Sequence, residues 1–253
     1  WNDPEAGHGL LLAPVAIWLA WRAGLRVDTK PAPVLGALLL GAAVALRFLS
    51  ELAAELFTMR QAMMLALAGL VLFFWGLRQL RTWALPLLLL VLSVPLPDLI
   101  TNTIALPLQF QASKLGAALL EWRDVPVRLT GNVILLPGHK LFVTEACSGL
   151  RSLTALLSLG VLIGGLFLKT LPGRVAVLAA TIPIAIVMNG VRVFLTGFLV
   201  FFVDPKLGEG FMHMTEGWLL FLVSFAVVGV TAAAISWTEG RVAARRAGGV
   251  QHA

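Results

Sequence analysis

Seven apolar runs, at residues 9–25, 34–57, 62–77, 83–97, 149–168, 174–203 and 217–238, dominate this chain. A bilayer core about 30 Å thick is crossed by about 20 apolar residues in helical form. Inside it, each spanning segment must satisfy its own backbone N–H and C=O groups. The pattern therefore restricts the chain to an all-α polytopic membrane protein with about seven transmembrane helices. Of its 253 residues 59% are hydrophobic and only 13% charged, and the mean hydropathy is +0.91, values that place it outside the range of soluble domains. The eight tryptophans fall mostly near the ends of the runs, where interfacial rings sit.

The charges between the runs are uneven. Arg22, Arg26 and Lys30 follow the first run, and Arg78 and Arg81 follow the third. Lys169 and Arg174 separate the fifth from the sixth, and Arg241, Arg245 and Arg246 follow the seventh. If the segments alternate, all of these lie on one side, while the opposite short connections carry only Arg60 and Lys206. The positive-inside rule assigns the basic side, with the tail 241–253, to the cytoplasm. Residues 1–8, 98–148 and 204–216 then fall on the outer face. The net charge of +6 resides in these clusters and not on a basic face interleaved with aromatics, which argues against nucleic acid as a partner. The whole of 1–253 is read as a single integral membrane domain, and the missing initiator Met raises the expectation of a further span upstream.

The stretch 98–146 reads as an extracytoplasmic insertion. Residues 98–121 mix Leu, Ile and Phe with Asn102, Gln109, Gln111 and Lys114, as an amphipathic helix lying at the interface would. Residues 125–143 are rich in β-branched residues and are punctuated by Thr130-Gly131-Asn132 and Pro137-Gly138, which predicts a small β-hairpin or meander.

Cys147 is the only cysteine, so it has no intramolecular disulfide partner. It precedes the apolar fifth run, and a helix N-terminus favours a thiolate. Arg151, four residues on, shares its helical face, and Ser148-Gly149 permits close backbone approach. The bland reading is a small buried hydrophobe. Arg192 lies inside the sixth run, where a charge is costly and marks a functional site by default; the bland reading is a snorkelling arginine at the outer interface. Counted from Arg174 it sits about 27 Å along a helix, near the outer hydrocarbon edge. Asn189, three residues earlier, shares its face, and Asn189-Gly190 is read as a break or bend in a run too long for a straight span. His213 immediately precedes the last run on the outer side and has the chemistry of a general acid/base, against an ordinary loop histidine. Glu216 either orients it or caps the helix. His8 lines a substrate groove or simply opens a helix. Arg47, Glu51 and Glu55, spaced i, i+4 and i+8, read as an internal ion-pair ladder. One Cys and four scattered His have no zinc-ligand spacing, so no metal or other cofactor is expected.

Three segments thus bring Cys147, Arg192 and His213 to one membrane face at similar depth: a nucleophile, a charge stabiliser and a base. Glu-Ala-Cys-Ser-Gly-Leu-Arg-Ser at 145–152, Asn-Gly-Val-Arg at 189–192, and His213 with Gly217-Trp218 resemble, in order, the three signature motifs of the exosortase/archaeosortase family. The opening Asp3-Pro4 to His8-Gly9 and Pro95-Leu96-Pro97 also look like bacterial exosortase sequence, although Ala6-Gly7 departs from that pattern. The resemblance implies a transpeptidase of the bacterial inner membrane, with its active site outside. It would process exported proteins that end in a Pro-Glu-Pro motif, a membrane helix and a basic tail, and transfer them to an amine acceptor. It would carry Cys147 as nucleophile, Arg192 as the arginine and His213 as the histidine. Two rivals stay open: a hydrolytic intramembrane thiol protease with the same residues, and a transporter or channel.

Overall fold

The computed structural model describes residues 7–143, 150–204 and 210–250; within them the side chains at 7–8, 98, 102, 150–151, 210–216 and 243–250 fall outside the description. The chain forms two compact units, Trp1–Asp98 and Leu99–Ala253. Among the described residues there are eight helices and one three-stranded sheet. Four helical stretches are long and apolar enough to cross a membrane: Pro33–Leu52, Leu56–Thr82, Leu171–Phe202 and Gly217–Val242. The expected count of seven is met only in part. The helices at the first and fifth runs are apolar but shorter, and the helix at the fourth has nine residues, about 14 Å.

The first unit holds α1 (Gly7–Ala23), α2 (Pro33–Leu52), α3 (Leu56–Thr82) and α4 (Ala84–Leu92). α2 and α3 form a helical hairpin, and α4 packs on α1 and α3. Large apolar side chains such as Leu38, Val44 and Phe48 of α2 are exposed, the surface a lipid-solvated helix presents. In lipid, packing and interhelical hydrogen bonds hold helices together, because the hydrophobic effect gives no preference for helix over lipid.

The second run divides sooner than its apolarity suggests. α2 stops at Leu52, and Ala54 turns the chain with φ 52°. Glu55 then caps α3, accepting from Phe57 N at 3.1 Å and from Thr58 N and Thr58 Oγ1 at 2.6 Å each. These bonds, Thr58 above all, hold the Glu55 carboxyl below its ordinary pKa. The expected ion-pair ladder is therefore half right. Arg47 Nη1 pairs with Glu51 Oε2 at 3.2 Å, but Glu55 lies beyond the helix end and serves the next helix.

At the other end of this hairpin the loop 24–32 is pinned to α3. Gly76 leaves the helical region (φ 73°, ψ −172°), a conformation that favours glycine. A Cβ there would overlap the carbonyl oxygen of Lys30. Ala32 N–H donates to the Leu72 carbonyl at 3.1 Å beside this kink. One turn on, fully buried Gln79 accepts from Arg26 N and donates to the Gly24 carbonyl, both at 3.0 Å. Asp28 bridges Arg26 (2.9 Å) and Arg78 (3.0 Å), so basic clusters from two separate connections meet at one end of this unit. The hydrogen bond from Arg26 is the main cause holding the Asp28 carboxyl down to about 2.

The second unit comprises α5 (Asp98–Trp122), β1 (Arg128–Thr130), β2 (Val133–Leu136), β3 (His139–Phe142), α6 (Leu150–Phe167), α7 (Leu171–Phe202) and α8 (Gly210–Val250). The strands form an antiparallel meander, β1-β2-β3, with turns at the predicted places, where Gly131 and Gly138 take positive φ. α5 has the predicted helical form, and one of its faces is buried within this unit. Ala112, Ala117 and Leu120 share a core with Ile134 and Leu136 of β2 and Val193 and Val200 of α7. Buried Gln109 accepts from Asn132 Nδ2 at 3.3 Å, joining α5 to the first turn of the meander. A second core, including Leu156, Val177, Ala185 and Val228, joins α6, α7 and α8. At one end of these helices Glu239 of α8 accepts from Lys169 N at 3.1 Å and from Thr170 Oγ1, locking the α6–α7 turn to α8. Arg241 stacks over Trp237 nearby, 3.7 Å from the ring centroid.

Candidate active site

α6, α7 and α8 pack on one another and leave a small cleft. α7 lines it with Ala185, Met188, Asn189 and Arg192, at i, i+3, i+4 and i+7. α8 lines it with Gly217, Leu220, Phe221 and Ser224 at the same spacing, and α6 adds Ser152 and Leu156. Each set is one face of a helix. Arg192, Asn189, Ser152 and Gly217 make the more polar end, while Leu156, Ala185, Leu220 and Phe221 make an apolar floor around buried Ser224.

Several hydroxyls along these helices are used locally. Ser224 Oγ donates to Leu220 O at 2.7 Å, Thr196 Oγ1 to Arg192 O at 3.0 Å, Thr181 Oγ1 to Leu178 O at 2.6 Å, and Ser158 Oγ to Thr154 O at 2.9 Å. Such back-bonds satisfy a hydroxyl where no water reaches it. Among the described residues, Arg192, Asn189 and Ser152 supply the polar side chains at the polar end of the cleft. The Arg192 guanidinium lies against α8 where that helix carries Gly217: a Cβ at 217 would stand 3.1 Å from Nη2 and 3.2 Å from Cζ.

Arg192 and Asn189 come together in the cleft as the i, i+3 spacing predicts. The expected break at Asn189-Gly190 does not form. α7 runs helical from Leu171 to Phe202, and the two residues face different neighbours. Asn189 is buried along the cleft, whereas a Cβ on Gly190 would stand 2.6 Å from Leu115 Cβ of α5. The glycine gives α5 room; it does not break α7. Arg174 and Arg192 lie 18 residues apart on this one helix, about 27 Å, so Arg192 is far from the end where Lys169, Thr170 and Glu239 meet.

Cys147 lies outside the described residues, as do the side chains of Arg151, His213, Glu216 and His8. The helices that follow or carry them are described. α6 begins three residues after Cys147 and includes position 151, adjacent to cleft-lining Ser152. α8 includes position 213, one helical turn before Gly217. Among the described residues, no group of three or more His, Cys, Asp or Glu could hold a metal ion.

The sequence pattern gives no role to Met188, Phe221 or Ser224, nor to Ser152 and Gly217 beyond their places in motifs. A signal existed for the α8 residues: 213, 217, 220 and 224 recur at i, i+4, i+7 and i+11, one helical stripe descending from the histidine. Nothing in the sequence says which stripe of a uniformly apolar helix borders a cleft.

The family model described as transmembrane exosortase matches residues 1–230. Neither the curated proteins nor the solved structures give a match.

Proposed function

The chain belongs to the transmembrane exosortase family, and from that membership we propose that it is a membrane-embedded cysteine transpeptidase acting on C-terminal sorting signals of exported proteins. The family match supports a membrane transpeptidase in general terms. The observation that carries the specific reading is the position of Arg192. A guanidinium borders a cleft between three apolar helices, one of which begins just after Cys147 and another of which carries His213 one turn above the cleft.

In this reading the substrate ends in a Pro-Glu-Pro motif, a membrane helix and a basic tail. The tail lies on the cytoplasmic side with Arg22, Arg26, Arg78 and Arg174, and the motif reaches the outer face of the bacterial inner membrane. The Cys147 thiolate attacks a backbone carbonyl carbon near the motif. The S–C bond forms, and the carbonyl π pair moves to oxygen. Arg192 stabilises this oxyanion, a contribution worth several kcal/mol in a water-poor site. Collapse breaks the C–N bond, and His213, holding the thiol proton, gives it to the leaving amine. An amine acceptor then attacks the thioester, His213 takes its proton, and the thiolate is restored. Arg151 either shares the stabilising role or binds the acidic motif. Asn189 and Glu216 support Arg192 and His213, and His8 belongs to the substrate path.

Cys147→Ala tests the reading in membranes that contain a tagged exported protein with such a C-terminus. We expect processing to be abolished while the variant still inserts. Undiminished processing by Cys147→Ala would sink the proposal. Mass spectrometry of the wild-type product's new C-terminus would show the transferred acceptor.

A further inference from the structure

We propose that Gly217 is a positioning residue for Arg192, setting the height and lateral place of its guanidinium over the cleft. The proposal rests on the functional reading above and adds a residue to it.

α8 contains glycines at 217, 229 and 240 among its residues with described side chains. A glycine inside a helix weakens it relative to alanine, so each needs a reason. Backbone strain supplies none at 217, because Gly217 is not among the glycines with positive φ. Space does. A Cβ on Gly217 would stand 3.1 Å from Arg192 Nη2, 3.2 Å from Cζ and 3.7 Å from Nε. All three are guanidinium atoms, so the charged head rests against the α8 backbone at this point. Gly229 and Gly240 meet nothing within 4 Å. The three glycines therefore separate one close approach from two that leave open space.

The packing around this contact limits how Arg192 can respond. Asn189, on the same face of α7, is buried, and Val193, next to Arg192, is buried in the core shared with α5 and the sheet. The stem of Arg192 leaves a helix that cannot easily retreat. An alanine at 217 must then move the guanidinium itself by a few tenths of an ångström. A charge aimed at a developing oxyanion loses effect with small displacements, and a misplacement of about 1 Å can cost about 100-fold.

The test uses the full chain in membranes with the same tagged exported protein. Gly217→Ala is expected to lower kcat about 10-fold with KM within about 2-fold of wild type, the pattern of an interaction made in the transition state. Its thermal stability should equal or exceed that of wild type, because alanine is the better helix former. Gly229→Ala should process at the wild-type rate. In an Arg192→Lys background, Gly217→Ala should cost less than 2-fold further, since the displaced group is gone. Wild-type processing by Gly217→Ala, or an undiminished 10-fold loss in the Arg192→Lys background, would overturn the positioning role. Full activity of Cys147→Ala would instead remove the underlying reading, so the two failures are distinguishable.

Discussion

Gln79 in the first unit and Arg192 in the second are both long polar side chains on apolar helices, and each lies beside a glycine that lets another element come close. Their surroundings differ. Gln79 is fully buried; its amide oxygen takes the Arg26 N–H and its amide nitrogen reaches the Gly24 carbonyl. Gly76 brings the loop carbonyl of Lys30 against α3. Around Arg192, the same ingredients border a small cleft with a polar end and an apolar floor. A buried polar group bonded to the backbone of a neighbouring loop holds a fold together. Arg192 instead borders a cleft between three apolar helices, the place where the proposed chemistry puts it.

Arg192→Ala probes the second half of that contrast and carries the largest expected effect. Processing should fall about 10²–10³-fold, the cost of losing one oxyanion stabiliser. Thermal stability should change far less than activity, because the guanidinium borders the cleft and belongs to neither apolar core. Comparable loss of stability and activity would place Arg192 with Gln79 among the structural groups.

Gln79→Leu probes the first half. It leaves the Arg26 N–H and the Gly24 carbonyl without their partner, which costs about 1–3 kcal/mol. We expect a lower unfolding temperature in detergent and unchanged processing per folded molecule. A drop in turnover without a drop in stability would erase the distinction between the two regions.

The smallest effect concerns the exposed ion pairs beside Gln79. The Asp28 carboxyl is held at about 2, against an ordinary 3.8. A carboxylate with a depressed pKa stabilises the fold above its ordinary value, and that contribution is lost as pH falls from 3.8 toward about 2. Asp28→Asn should flatten the acid limb of a melting-temperature profile in that window, slightly and less so in high salt, because the pairs are solvent-exposed. An identical acid limb in the variant would mean that Gln79 alone carries the loop.

The Arg192–Asn189 pairing follows from helical periodicity, and the meander from Gly131 and Gly138 at its turns. Glu55 and Gly190 misled. Glu55 sits at ladder spacing, but the chain turns at Ala54 before reaching it, and the start of α3 offers its carboxylate three donors. Gly190 looks like a hinge beside Asn189, yet what it serves is the approach of Leu115 from another helix. Gln79 gave no signal at all, since a glutamine near the end of an apolar run reads as an interfacial side chain until the loop that covers it is in place.

The amino-acid sequence by itself determined the solvent this protein folds in, the helices that solvent demands, the ends at which basic residues gather, and the motif residues that place it among the transmembrane exosortases. These are properties of composition and local spacing, and the bilayer's need for internally bonded backbone enforces them. Only the tertiary structure decided which stripe of each helix faces a neighbour, that α6, α7 and α8 leave a cleft under Arg192, and that Gly217 is where the guanidinium rests. On helices apolar all round, periodicity cannot single out a face, so contact between helices makes that choice.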